Sequence, residues 1–360
     1  MKVAILGGGN GAYAAAADLT EQGHTCALWR RDAAALASLV ERPIIRVIDH
    51  AGERDVTIAG VHTDIGVAVA EAAVIVFPGP AVAQDDVAEN LAPHLRDGQI
   101  IFLPPGTFGS YVMMRRLRDK GCKADVCFAE TGTLPYLARK RGENTIAIAR
   151  RATRLPTGFF PASRDALARA TLAQVFPAIE PCEDALSGAL MNAGPIIHPP
   201  LIMMNAGPIQ HFDHWDIHNE GTQPAIRSVT DTLDAERVTV REALGYGAPH
   251  FPLSHHYAKH GEEWMYGRSA HGPLVDSGDW REHLDLHSHR YMREDVQLGL
   301  AFLVSCARYC GVDAPVASGL LNLGGSICGE DFVNGPRTLE SLNLSSLSRE
   351  ALSGLLKDGI

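Results

Sequence analysis

The first half of the chain alternates short apolar runs with amphipathic stretches. Val3–Leu6, Thr25–Trp29, Val74–Phe77, Ile100–Leu103, Val126–Ala129 and Thr145–Ala149 read as strands. Between several of them the helical period appears: Ala12–Gln22 closed by Gly23, Asp32–Val40 opened by Asp32, Val82–Leu95, and Tyr111–Lys120 closed by Gly121. Ser163–Phe176 adds one more helix, and Pro177 and Pro181 mark a boundary. Strands alternating with helices predict a doubly wound parallel sheet. Beyond about residue 183 the strand signal fades. Thr230–Ala243, Tyr291–Tyr309 and Val316–Ile327 fit helices, with Gly311 and Pro315 separating the last two. The expected architecture is an α/β domain of Rossmann type over residues 1–182, followed by an all-α domain over 183–360.

Composition narrows the function. A chain of 360 residues is too long for one ordinary core, and 46% apolar with 21% charged residues suits a globular protein. The net charge of −10 argues against a nucleic-acid partner, while local arginines can still bind small anions. The 7 cysteines are odd in number, scattered and without a CxxC pair, which points to a reducing compartment. Val3–Leu6 is too short for a signal peptide and no run reaches transmembrane length, so a cytoplasmic protein without membrane association is expected.

The clearest chemistry lies at the start. Gly7-Gly8-Gly9-Asn10-Gly11-Ala12 satisfies G-x-G-x-x-G/A through Gly7, Gly9 and Ala12, directly after a strand and opening an alanine-rich helix. Gly7 permits the tight turn, Gly9 lets a pyrophosphate approach the backbone, and Ala12 keeps helix and sheet close. Asn10 and Gly11 lie within the same turn. The second strand ends in Trp29-Arg30-Arg31-Asp32. Arg30 can pair with a 2′-phosphate and Arg31 can stack on adenine, which favours NADP over NAD; in the other reading Asp32 takes the ribose hydroxyls. Pro78 and Gly106, in loops that follow strands, are candidate walls for the nicotinamide.

Hydride transfer to a carbonyl or imine also needs a proton-exchanging group. After Lys140 the chain has only Lys259 and Lys357, whereas twelve of the 16 histidines lie between His198 and His289. His198 stands out because Pro199 follows it, which is expected to hold it at a bend facing a cleft. Nearby, Met191–His198 and Met204–His211 form a near-repeat too short for a solenoid unit. His211, His214 and His218 have metal-ligand spacing on a helix, with His255, His256 and His260 as further donors. A polar cleft wall is the preferred reading, and no metal is expected.

Four segments carry a specific resemblance. Asn192 to Pro199 resembles the N-P-x-x-H-P segment of opine dehydrogenases of the octopine, nopaline and carboxyethyl-norvaline type. Leu233-Asp234-Ala235-Glu236-Arg237 is similar to that family's (I/L)-D-x-E-R helix, and Arg290-Tyr291-Met292-Arg293-Glu294-Asp295-Val296 to its R-Y-x-x-E-D-(V/I) segment. Gly335–Leu342 completes the series, which with the glycine motif spans essentially the full chain.

The resemblance implies that His198 is the general acid/base, that Asp295 orients its imidazole, and that Arg290 anchors a substrate carboxylate. It implies that Glu130 and Thr131, an E-T pair at a strand end, touch the amino-acid substrate. A homodimer is one assembly it allows. The chain departs from the family at Ala193-Gly194-Pro195, and in the His- and acid-rich stretch Gln210–Glu220. The implied reaction is reductive condensation of an α-keto acid with an amino acid, dependent on NADPH or NADH. Reduction of a carbonyl to an alcohol on the same scaffold, and a nucleotide-sensing protein without turnover, are the rival readings.

Overall fold

A computed structural model of the chain describes residues 1–257, 263, 265–267 and 281–360. It contains two compact units, Met1–Ala189 with Gly354–Ile360, and Leu190–Ser353.

The strands of the first unit are β1 (Lys2–Leu6), β2 (Thr25–Trp29), β3 (Ile44–Asp49), β4 (Gly52–Thr57), β5 (Gly60–His62), β6 (Val74–Val76), β7 (Ile100–Leu103), β8 (Cys127–Thr131), β9 (Tyr136–Gly142), β10 (Thr145–Arg151), β11 (Leu155–Phe160) and β12 (Ile179–Pro181). Its helices are α1 (Asn10–Glu21), α2 (Ala37–Glu41), α3 (Ile65–Val69), α4 (Gln84–Leu91), α5 (Gly109–Asp119), α6 (Asp165–Leu172) and α7 (Ala185–Ala189). Eight strands form one sheet in the order β12-β11-β8-β7-β6-β1-β2-β5, parallel throughout except where β11 runs against β8. The expected doubly wound sheet is present. Its central strands are buried on both faces, which is why Ile5, Val76, Phe102 and their neighbours read as unbroken apolar runs. The strand order reverses at β1, which places the glycine turn at the point where open α/β sheets hold ligands.

One expectation is corrected. Thr145–Arg151 does not join that sheet. It lies in a separate four-stranded sheet, β4-β3-β10-β9, pairing parallel with β3 and antiparallel with β9. Its residues alternate in burial, with Ile146 and Ile148 inside, as half-buried strands do. This second sheet grips α1 through charge. Tyr136 donates to Asp18 at 3.0 Å, Arg151 bonds Asp18 at 2.5 Å and Asp49 at 3.0 Å, and Arg54 bridges Asp49 at 2.7 Å to Glu21.

The second unit holds α8 (Gly194–Met204), α9 (Ala206–His211), α10 (Pro224–Ala243), α11 (Leu253–Tyr257), α12 (Tyr291–Leu300), α13 (Ala301–Cys310), α14 (Pro315–Cys328) and the first half of α15 (Arg349–Asp358). Helices dominate as expected, with one short antiparallel ribbon, Trp215–Asp216 against Arg281–Glu282. The near-repeat now has a physical account: Asn192-Ala-Gly-Pro195 opens α8 and Asn205-Ala-Gly-Pro208 opens α9. Proline suits the first turn of a helix, where its missing N–H has no partner to serve. α12 is wound as a π-helix and continues directly into α13, which stops at Gly311 in the left-handed conformation (φ 70°). No helix is long and apolar enough to cross a membrane among the described residues.

Candidate active site

In the first unit, Gly7 adopts φ 131°, a conformation that suits glycine, and its N–H donates to the Trp29 carbonyl at 2.8 Å. α1 then begins at Asn10 with no side chain capping its first amides, and a Cβ added at Gly9 would meet nothing within 4 Å. Open space beside uncapped helix amides fits a dinucleotide pyrophosphate. Gly11 is buried under Pro78, whose Cβ lies 3.0 Å from where a Gly11 Cβ would stand, and Ala12 is buried. Asn10 turns its Oδ1 to the Lys140 N–H of β9, 2.9 Å away.

Arg30 lies across the turn: a Cβ at Gly8 would sit 2.5 Å from its Cδ. Its nearest carboxylate, Asp32, is 3.8 Å away. Arg31 is engaged differently from expectation. It is exposed and forms a 2.7 Å ion pair with Asp86 of α4. Asp32 accepts the Ala35 N–H at 3.2 Å, opening the following helical turn.

Glu130, Thr131 and Gly106 lie buried. Glu130 and Thr131 are each 0% exposed. The Glu130 carboxylate accepts the Phe108 N–H at 2.8 Å and bonds the Ser110 hydroxyl. Thr107 and Phe108 both have positive φ (55° and 60°), so the carboxylate holds a backbone that side-chain-bearing residues resist. A Cβ on Gly106 would fall 1.9 Å from Glu130 Oε2, and the Gly106 carbonyl accepts from Gln84 at 2.7 Å. Thr131 donates to the Pro156 carbonyl at 2.7 Å. These residues brace a loop from within; glutamate and threonine look alike in sequence whether they face solvent or backbone.

The second unit holds the histidine centre. His198 Nδ1 and Asp295 Oδ2 are 2.7 Å apart, with side-chain exposures of 16% and 8%. A carboxylate on Nδ1 leaves Nε2 as the nitrogen that exchanges protons. The expected bend at His198 is corrected: α8 continues through Pro199 and Pro200. Those prolines withhold the N–H groups that would bond the Pro195 and Ile196 carbonyls, but the flanking turns and the packing against α12 keep the helix intact.

Three features escaped the sequence reading. The Tyr291 ring stacks on the His198 imidazole, with centroids 3.7 Å apart and planes at 17°. His218 meets the same imidazole edge-on at 6.1 Å. Gly194 is required sterically, because a Cβ there would lie 2.2 Å from Asp295 Oδ1. The departure Ala193-Gly194-Pro195 therefore makes room for the carboxylate that holds the histidine. Only the aromatic residue next to Arg290 could have been flagged beforehand.

Arg290, at the start of α12, keeps a half-exposed side chain whose Nε is 3.6 Å from Glu294, beyond hydrogen-bond length, with its guanidinium 5.9 Å from the Tyr291 centroid. The helix expected for His211, His214 and His218 ends at His211; His214 lies in the loop and His218 in the turn after Trp215–Asp216. Among the described residues no three His, Cys, Asp or Glu side chains gather to hold a metal ion. The His256 side chain and His260 lie outside the described residues.

The family pattern described as NAD/NADP octopine/nopaline dehydrogenase, alpha-helical domain, matches residues 181–328, which contain both His198 and Asp295. An opine dehydrogenase of Arthrobacter sp. (strain 1C) is 27% identical over 352 residues, covering 96% of this chain and 96% of its own. The chain is similar to opine dehydrogenases over nearly its whole length, and residues 181–328 match the family's helical domain. A vitopine synthase of Allorhizobium ampelinum is 25% identical over 373 residues, covering 95% of each chain. Among solved structures, octopine dehydrogenase in complex with NADH and agmatine superimposes with a TM-score of 0.76 at 17% identity, covering 100% of this chain and 98% of that one. That likeness establishes the shared fold.

Proposed function

We propose that this protein catalyses NAD(P)H-dependent reductive condensation. The amine of an amino acid attacks the carbonyl of an α-keto acid, water leaves, and the resulting imine is reduced to a secondary amine dicarboxylate. The reduced nicotinamide supplies the hydride. The observation that carries the reading is the 2.7 Å His198–Asp295 pair within the family's helical domain. His198, with Nδ1 held by Asp295 and one face covered by Tyr291, offers Nε2 to give the departing hydroxyl its proton and later to settle the charge on nitrogen. Asp295 keeps the tautomer in register and stabilises the imidazolium when it forms. Arg290, half-exposed and held only by the 3.6 Å ion pair to Glu294, can turn its guanidinium to pair bidentately with the keto-acid carboxylate.

Arg30 over the glycine turn supports NADP as the preferred cofactor. Seven free cysteines support a reducing compartment, the cytoplasm, and fractionation that finds the protein elsewhere would refute that placement. A homodimer is the assembly proposed, to be read by light scattering on the purified protein.

The deciding experiment is an NADPH- and NADH-oxidation screen of keto acids with and without a panel of amino acids. Turnover that needs both substrates and yields a secondary amine is expected. Oxidation by keto acid alone would replace this reading with carbonyl reduction, and cofactor binding without any oxidation would leave a sensor.

A further inference from the structure

The second sheet delivers one residue to the glycine turn that the sequence motif does not contain. Lys140 of β9 is anchored there by its own N–H, which donates to Asn10 Oδ1 at 2.9 Å. Its ammonium lies 3.6 Å over the centroid of the Tyr13 ring on α1. Arg30, draped over Gly8, is within electrostatic reach of both Lys140 and Tyr13. Two cations thus converge on one turn. Among the described residues Arg30 has a single carboxylate contact, Asp32 at 3.8 Å, and no carboxylate stands within ion-pair distance of Lys140, the Glu143 charge acting on it from farther off. The other cations gripping α1 are matched: Arg54 by Glu21 and Asp49, and Arg151 by Asp18 and Asp49. The Tyr13 hydroxyl is buried beside them without a hydrogen-bond partner. Like charges placed together with only the distant charges of Asp32 and Glu143 to offset them are costly, unless a bound anion is the partner the arrangement is built for.

We propose that Lys140 acts with Arg30 to bind the 2′-phosphate of NADP, so that a residue of the second sheet sets the cofactor preference. The inference rests on the NADP preference proposed above. The ribose end of a dinucleotide lies at the carboxyl end of β2, where Arg30 begins. A 2′-phosphate carries nearly two negative charges at neutral pH and three acceptor oxygens, enough for a guanidinium and an ammonium together. Burial, and then the Arg30 charge, hold the Lys140 pKa below the ordinary lysine range, and a phosphate between the two would relieve the second of these effects.

The test is direct titration of NADPH, NADH and 2′,5′-ADP against the wild type, Lys140→Met, Lys140→Gln and Lys140→Arg. Loss of one charge-assisted contact should weaken NADPH and 2′,5′-ADP by about 10- to 100-fold in the two neutral variants. NADH should change by less than about twofold, and Lys140→Arg should retain most of the NADPH affinity. Equal losses for NADPH and NADH would put the lysine on the pyrophosphate and overturn the assignment, as would unchanged NADPH binding in both neutral variants. Tighter NADH than NADPH binding by the wild type would refute the cofactor reading, and this assignment with it, before any variant is made.

Discussion

Leu233–Arg237 and Arg290–Asp295 both cluster acids and bases in the helical unit, yet they face different partners. Asp234 pairs with Arg237 at 2.6 Å and accepts the Leu253 N–H at 2.6 Å. Arg237 donates to the carbonyls of Leu190, His250 and Phe251. Glu236 accepts the Val316 and Ala317 N–H groups, each at 2.8 Å, and so caps the start of α14. Every one of these partners is backbone or another member of the motif. In the second cluster, Asp295 faces an imidazole and Arg290 makes a 3.6 Å ion pair with Glu294 while its side chain stays half-exposed. Charges that end on backbone hold the fold, whereas charges that end on a titratable ring or at a half-exposed surface are available for chemistry. Glu130 belongs with the first kind despite its place at a sheet-strand end.

The contrast breaks first at the histidine. His198→Ala should lower kcat by about 10²- to 10⁴-fold with cofactor affinity nearly unchanged. Asp295→Asn should cost much of the same, and the double variant little more, because the two act as a unit. A double variant whose loss equals the product of the single losses would separate them. Arg237→Ala should behave in the opposite way, losing about 3–5 kcal/mol of stability by leaving Asp234 buried and unpaired. Urea unfolding reads it, and a variant as stable as the wild type would remove Arg237 from the scaffold.

Gly194→Ala joins the two kinds of effect. Its methyl must displace the Asp295 carboxylate, so kcat should fall by about 10- to 100-fold while the melting temperature moves only a few degrees. Normal turnover would mean that Asp295 need not stand where it does. Arg290→Leu should raise KM for the keto acid about tenfold more than KM for the amine. A larger effect on the amine would reassign the arginine to the other substrate.

The smallest effect concerns the second sheet's grip on α1. The Arg54 bond, aided by Ala51 N–H and Arg151 and opposed by burial, holds the Asp49 carboxyl well below the usual carboxylate range. A depressed acid stabilises the fold fully above its unfolded pKa, near 4, and loses that contribution as pH falls further. Melting curves from pH 6 to pH 3 should therefore show a steeper acid decline for wild type than for Asp49→Asn. Parallel declines would mean that other carboxylates govern acid stability.

The sequence by itself determined the α/β unit and the glycine turn and, through four spaced motifs, pointed to His198, Asp295 and Arg290, of which the fold brings His198 and Asp295 within 2.7 Å. Periodicity and glycine spacing report what a segment needs locally: buried strands must be apolar on both faces, and a tight turn needs positive φ. Tertiary structure decided which polar group meets which. It turned Glu130 inward, carried α8 through two prolines, stacked Tyr291 on His198, paired Arg31 with Asp86 and brought Lys140 to the glycine turn. Each of those outcomes depends on chain segments tens of residues apart meeting in space, and a carboxylate or an ammonium looks the same in sequence whatever it meets.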